Sequence, residues 1–184
     1  MKPLLILLIF VAQQLSAATP EMAEHVLAAF AARDVDRVVG SCHPKLMKEA
    51  RRALTENRHF YEAFVAKTPD SHLDIPEPSR LAVLTDAECL VIALRAVIEY
   101  FPEAGSKRVF GVIEKGEVAY VVVEEQVSTK DGVVLEPYPF TMRFEKDAGT
   151  WKLLRDPWTD LAVQAAVRSR RSVPNPDACV RPER

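Results

Sequence analysis

The sequence predicts an α+β domain: N-terminal helices packed on a strongly curved antiparallel β-sheet of about four strands, followed by a short C-terminal helix and a tail. Three observations carry this prediction. Apolar residues recur at helical spacing up to about residue 100. From Arg108 the period drops to two. Turn residues then separate the runs, at Glu114-Lys115-Gly116-Glu117, Lys130-Asp131-Gly132 and Asp147-Ala148-Gly149-Thr150.

The elements follow in order. Thr19-Pro20-Glu21 is a helix start: a hydroxyl cap, Pro at the first helical position and an acid in the first turn. Met22, Ala23, Val26, Leu27 and Phe30 form its apolar stripe, and it ends near Ala32-Arg33. Asp34 caps a short second helix carrying Val35, Val38 and Val39, stopped near Gly40. Pro44 opens a long amphipathic helix to about residue 66, broken near Asn57. Pro69, Pro76 and Pro78 mark a loop. Thr85 and Glu88 make a capping box, and the helix behind it, to about Tyr100, is apolar nearly all round and therefore buried.

Val109–Ile113 and Val118–Val127 read as strands. In the next strand Tyr138, Phe140, Met142 and Phe144 face one way, and Thr141, Arg143 and Glu145 the other. Pro137 and Pro139 lie two apart, so one side of this stretch cannot pair and it is an edge or precedes regular pairing. Residues 151–155 make a last strand, and Asp156-Pro157 starts a helix over roughly 157–168.

Composition excludes several classes. The 184 residues are 48% hydrophobic and 27% charged with net charge -2, which suits one soluble domain and not a dedicated nucleic-acid binder. With Gly 6 and Pro 13, collagen and low-complexity chains are excluded. Residues 1–18 read as a secretory signal peptide: Lys2, the apolar run from Leu4 to Ala12, then the small residues Ser16-Ala17-Ala18. Cleavage after Ala17 or Ala18 fits. The run is about half of a bilayer span, so no stable membrane anchor is expected. A leader this short looks bacterial and places the mature protein in the periplasm or outside the cell.

The domain then spans 19–167, ahead of a basic tail at 168–184 with five arginines against two acids. In an oxidising compartment the three cysteines allow at most one bridge. Cys42 with Cys179 is preferred because it would pin the tail, and the sequence leaves the connectivity open.

The order of elements resembles the nuclear-transport-factor-2-like superfamily, a cone-shaped α+β fold. The residues that carry the likeness are Ala32-Arg33-Asp34-Val35-Asp36, then Cys42-His43-Pro44, the strand meander at 108–155, and the closing Gly149-Thr150-Trp151-Lys152-Leu153-Leu154. The resemblance implies a pocket at the open end of the cone, and it allows sheet-to-sheet homodimers. It does not deliver an activity, since this fold hosts enzymes and binders alike.

Tyr61, Phe64, Tyr120, Tyr138, Phe140 and Trp151 are the candidate pocket-lining residues. Tyr61, Tyr120 and Tyr138 are taken as inward-facing, and Glu124 shares the parity of Tyr120 and Val122. No HxH, HExxH or CxxC spacing occurs, so neither a metal nor another cofactor is expected. Ser41-Cys42-His43 sets a thiol beside an imidazole, but adjacent residues rarely share a face and no third group is evident. The sequence therefore favours an exported non-catalytic domain that binds a small apolar ligand or an envelope protein. The alternative is a small isomerase, cyclase or hydrolase.

Overall fold

The computed structural model describes residues 17–66, 74–97, 106–126 and 136–168. Helix α1 spans Pro20–Ala31 and α2 spans Val35–Ser41. Arg33 takes a positive φ of 53° between them. Asp34 accepts a hydrogen bond from the Arg37 amide, so the predicted cap is made.

The expected long helix is two: α3, Pro44–Glu56, and α4, Arg58–Val65. The break falls at Asn57, whose φ of -133° and ψ of 37° leave the helical region. Its amide side chain is buried, and neither polar atom has a hydrogen-bond partner among the described residues. Within the stretch read as a loop lies one more turn of helix, α5, Pro78–Leu81. Pro78 takes the first helical position, where its missing N–H costs nothing.

Helix α6, Asp86–Val97, follows the capping box. Glu88 accepts from the Thr85 amide at 2.6 Å, and Thr85 Oγ1 accepts from the Glu88 amide at 3.2 Å. Arg51 of α3 fastens this entry by donating to the Leu81 and Leu84 carbonyls and to the Asp86 carboxylate.

The sheet is a meander in the order β1-β2-β3-β4, all antiparallel: β1 is Ser106–Lys115, β2 Val118–Gln126, β3 Tyr138–Asp147 and β4 Thr150–Arg155. β3 is flanked on both sides, yet its pairing with β4 begins only at Arg143. Its first residues, with Pro139, therefore face no β4 partner, and the proline spacing is explained. The β3–β4 turn is Ala148-Gly149 with φ of 48° and 82°, both left-handed as a two-residue type I′ hairpin requires. Cys42 forms an isolated parallel bridge to Leu153, and the His43 amide donates to the Leu153 carbonyl at 2.7 Å. The connection between α2 and α3 is thereby docked on β4.

Helix α7, Pro157–Arg168, closes the described chain. α3 packs along α6, α7 lies against both, and α1 lies against β1. The core sits between these helices and the inner face of the sheet. Val26, Leu46, Leu54, Leu90, Leu94, Val121, Met142, Phe144 and Leu153 are fully buried there.

Candidate functional site

The phase of β2 decides which groups meet the helices. Ala119, Val121, Val123 and Glu125 are buried. Tyr120 is 40% exposed, on the outer face with Val122 and Glu124. The inward phase expected for Tyr120, and for the Glu124 that shares its parity, is thus corrected by one residue. Side chains alternate faces along a strand, so a one-residue error in phase exchanges the whole set.

Glu125 is the carboxylate that faces in, and Lys107 of β1 stands directly opposite it. Lys107 Nζ lies 3.0 Å from Glu125 Oε1, with the two side chains 9% and 7% exposed. The contact is an ion pair by distance, but its alignment does not make a hydrogen bond at Oε1. Lys107 Nζ also lies 4.9 Å from the centroid of the Trp158 ring. A desolvated cation on an indole face is worth about 2 kcal/mol.

Trp158 in turn packs on Phe30 at 4.9 Å and edge-on to Phe140 at 5.1 Å. Tyr138 stacks on Phe140 at 6.5 Å, with most of its own surface in solvent. One end of the inner face therefore holds two opposite charges in an aromatic wall.

Asp156 positions Trp158. Its Oδ1 accepts from the Trp158 amide at 2.7 Å and the Thr159 amide at 3.0 Å, and Thr159 Oγ1 accepts from the Asp156 amide at 3.1 Å. This is a helix N-cap at the start of α7. Complete burial pushes the Asp156 carboxyl up to about 7, against the opposing pull of those hydrogen bonds. Its Oδ2 is buried without a hydrogen-bond partner among the described residues.

The neighbouring Cys42 thiol donates to the Val38 carbonyl at 3.2 Å. Burial, then the charge of Asp156, pushes it far above the usual thiol range, so it is held as the unreactive thiol. The His43 ring accepts from the Lys45 amide at 3.0 Å, a capping role at α3. Cys42 and Cys89 are both buried thiols. Cys179, the other half of the preferred pairing, lies outside the described residues.

The five expected pocket residues whose side chains are described do not converge. Tyr61 is fully buried, and its hydroxyl donates to the Ala162 carbonyl at 2.6 Å, tying α4 to α7. Burial raises its phenol above the usual range. Trp151 is partly buried beneath the Lys146 ammonium, 4.6 Å from its ring centroid. Tyr120, taken as inward-facing, is 40% exposed on the outer face, whereas Tyr138 keeps the inner-face phase opposite Glu125 but is 59% exposed at the end of that face. Among the described residues of this set, Tyr138 and Phe140 meet, at the polar end. The side chain of Phe64 lies outside the described residues.

Lys107, Glu125, Asp156 and Trp158 were not among the expected residues. The signal for Trp158 is Asp156-Pro157-Trp158-Thr159, a cap motif that brings an indole to the sheet. His25 and His59 are exposed, and His72 lies outside the described residues. Among the described residues no cluster of three or more His, Cys, Asp or Glu could hold a metal ion, and no helix is long and apolar enough to cross a membrane.

The outer face of the sheet has a different character. Between Val109 and Gly111 the register of β1 shifts, leaving Phe110 as the extra residue of a bulge. The shift puts Ile113 on the outer face, paired with Tyr120. Phe110 is 58% and Ile113 64% exposed. Arg108 stacks over Phe110 at 5.2 Å and is the cross-strand partner of Glu124. Arg143 continues the mixed rim on β3, beside Glu145, whose largely buried carboxylate is also held by Lys45 of α3.

No family model, no curated protein and no solved structure matches this chain.

Proposed function

We propose that the chain is an exported, non-catalytic binding domain that works through the outer face of its sheet, and that the occupant of that face is the sheet of a second copy. The observation that carries this reading is the contrast between the two faces. The inner face is filled by Val121, Val123, Phe140, Met142 and Phe144, whereas Phe110, Ile113 and Tyr120 stand in solvent on the outer one. A contiguous exposed apolar patch with a polar rim marks an interaction surface. The rim carries both signs, Arg108 and Arg143 with Glu124, so it complements itself across a two-fold axis. The likeness to the nuclear-transport-factor-2-like cone supports the same arrangement. Export rests on the leader at 1–18.

Light scattering on the mature protein is expected to return twice the chain mass at micromolar concentration. Ile113→Glu is expected to return a monomer with an unchanged circular dichroism spectrum. A wild-type monomer at every concentration tested would reject the self-association reading.

A second reading, a small isomerase, cyclase or hydrolase, is favoured by Lys107 and Glu125 alone, a proton donor and a carboxylate base in one apolar niche. It requires the pair to part towards a substrate. A compound that raises the melting temperature of the wild type but not of Lys107→Met would support it.

A further inference from the structure

We infer that the leader is removed between Ala17 and Ala18, and that the new α-ammonium of Ala18 forms an ion pair with Glu114. This inference rests on the export reading and decides between the two cleavage positions that the small residues allow. The Ala18 nitrogen lies 2.8 Å from Glu114 Oε2, a contact between residues 96 apart in the chain. Ala18 is itself half-buried and packs against the core.

Glu114 faces inward at the turn end of β1, opposite the buried Ala119. Its side chain is 34% exposed, and its other described cation is Lys146 of β3, 3.8 Å from Oε1. A half-covered carboxylate with one distant cation gains from a second charge. In the unprocessed chain Ala18 offers it a single neutral N–H. Hydrolysis of the Ala17–Ala18 bond by a signal-type peptidase adds water across the C–N bond. The hydroxyl goes to the Ala17 carbonyl carbon and the hydrogen to the Ala18 nitrogen. The Ala17 carboxyl then gives up its proton, and the Ala18 amine becomes an ammonium at the same atom that already meets Glu114.

Cleavage one residue later removes the Ala18 donor and its packing. It also puts the positive charge on Thr19, the N-cap of α1, where the helix macrodipole opposes a cation.

Secretion of the full chain in a bacterial host, followed by intact mass and N-terminal sequencing, tests the site. A product starting at Ala18 is expected. A product starting at Thr19 overturns the inference and leaves the export reading standing. A chain retained in the cytoplasm with residues 1–17 attached overturns the export reading itself.

Thermal unfolding then tests the ion pair. An α-amino group titrates near pH 8 when unfolded and a lysine above about 10, so the window from pH 7 to 9 isolates it from Lys146. On α1, Glu21 hydrogen-bonds with Thr19, which holds its carboxyl below the usual range and outside this window. Pairing raises the folded pKa of the amine, so its stabilisation is complete below the unfolded value and lost as pH rises through the folded one. The Ala18 form is expected to lose about 2 °C more than Glu114→Gln between pH 7 and 9. Equal losses in the two proteins would overturn the pair.

Discussion

Lys107 and Glu125 are the residues whose environment is least typical of their chemistry. Each is almost wholly removed from water, and each has the other as its direct cross-strand partner. Removing both charges from water costs several kcal/mol, which their attraction and the Trp158 face offset. The pair therefore contributes little net stability as a unit and a large penalty when halved. Glu125→Gln or Lys107→Met alone is expected to cost about 3–5 kcal/mol. The double change Lys107→Met with Glu125→Leu is expected to fall within about 1 kcal/mol of the wild type. A urea denaturation cycle over the four proteins measures this, and near-additive single losses would mean that the two side chains act independently. The pair was hidden in the sequence because Glu124 and Glu125 are adjacent and only the phase of the strand tells them apart. Val121, Val122 and Val123 fill both faces of β2 with the same side chain, so the period-two signal is lost where it is most needed.

At the scale of elements, the motifs that satisfy backbone groups locally were the legible ones. Asp34 at α2, the Thr85–Glu88 box at α6 and the start of α7 at Pro157 all lie where the residues indicate. Their partners are within three residues, so a short stretch contains the whole cause. The bulge at Phe110 is of another kind. It depends on how β1 registers against β2, and its one local signal is Gly111, an isolated glycine inside the strand. The bulge in turn decides that Ile113 points outward. The β3–β4 turn is legible yet imperfect: Ala148 occupies a left-handed position at φ 48°, where an L side chain other than Asn or Asp is disfavoured. Ala148→Asn completes an Asn-Gly type I′ turn and is expected to stabilise the protein by about 0.5–1 kcal/mol. Calorimetry is expected to show a melting temperature higher by about 2–4 °C; no rise would mean that the turn conformation is set by the strands alone.

Across the whole molecule, α7 joins the parts that the meander and the helices leave separate. Its cap residue follows β4 directly, its Trp158 closes the aromatic wall over Lys107, and its Ala162 carbonyl receives the Tyr61 hydroxyl. It packs on α3 and α6 and reaches β3. The helix layer and the sheet thus share one element, and the burial of Phe30, Phe140 and the ion pair depends on it. Ending the chain after Arg155 removes Trp158, Thr159, Ala162 and Val163, all buried. Two charges then meet water on one side and hydrocarbon on the other, and Tyr61 keeps a hydroxyl with no acceptor in a buried site. The expected result is loss of the cooperative thermal transition, with helix signal retained in far-ultraviolet circular dichroism and a dye for exposed apolar surface binding strongly. Ile113→Glu, which changes the outer face only, is the matched control, and its transition is expected to stay sharp. If the truncated chain instead unfolds cooperatively near the wild-type temperature, α7 is an appendage and the helices and sheet are held together by the α1–β1 and α3–β4 contacts.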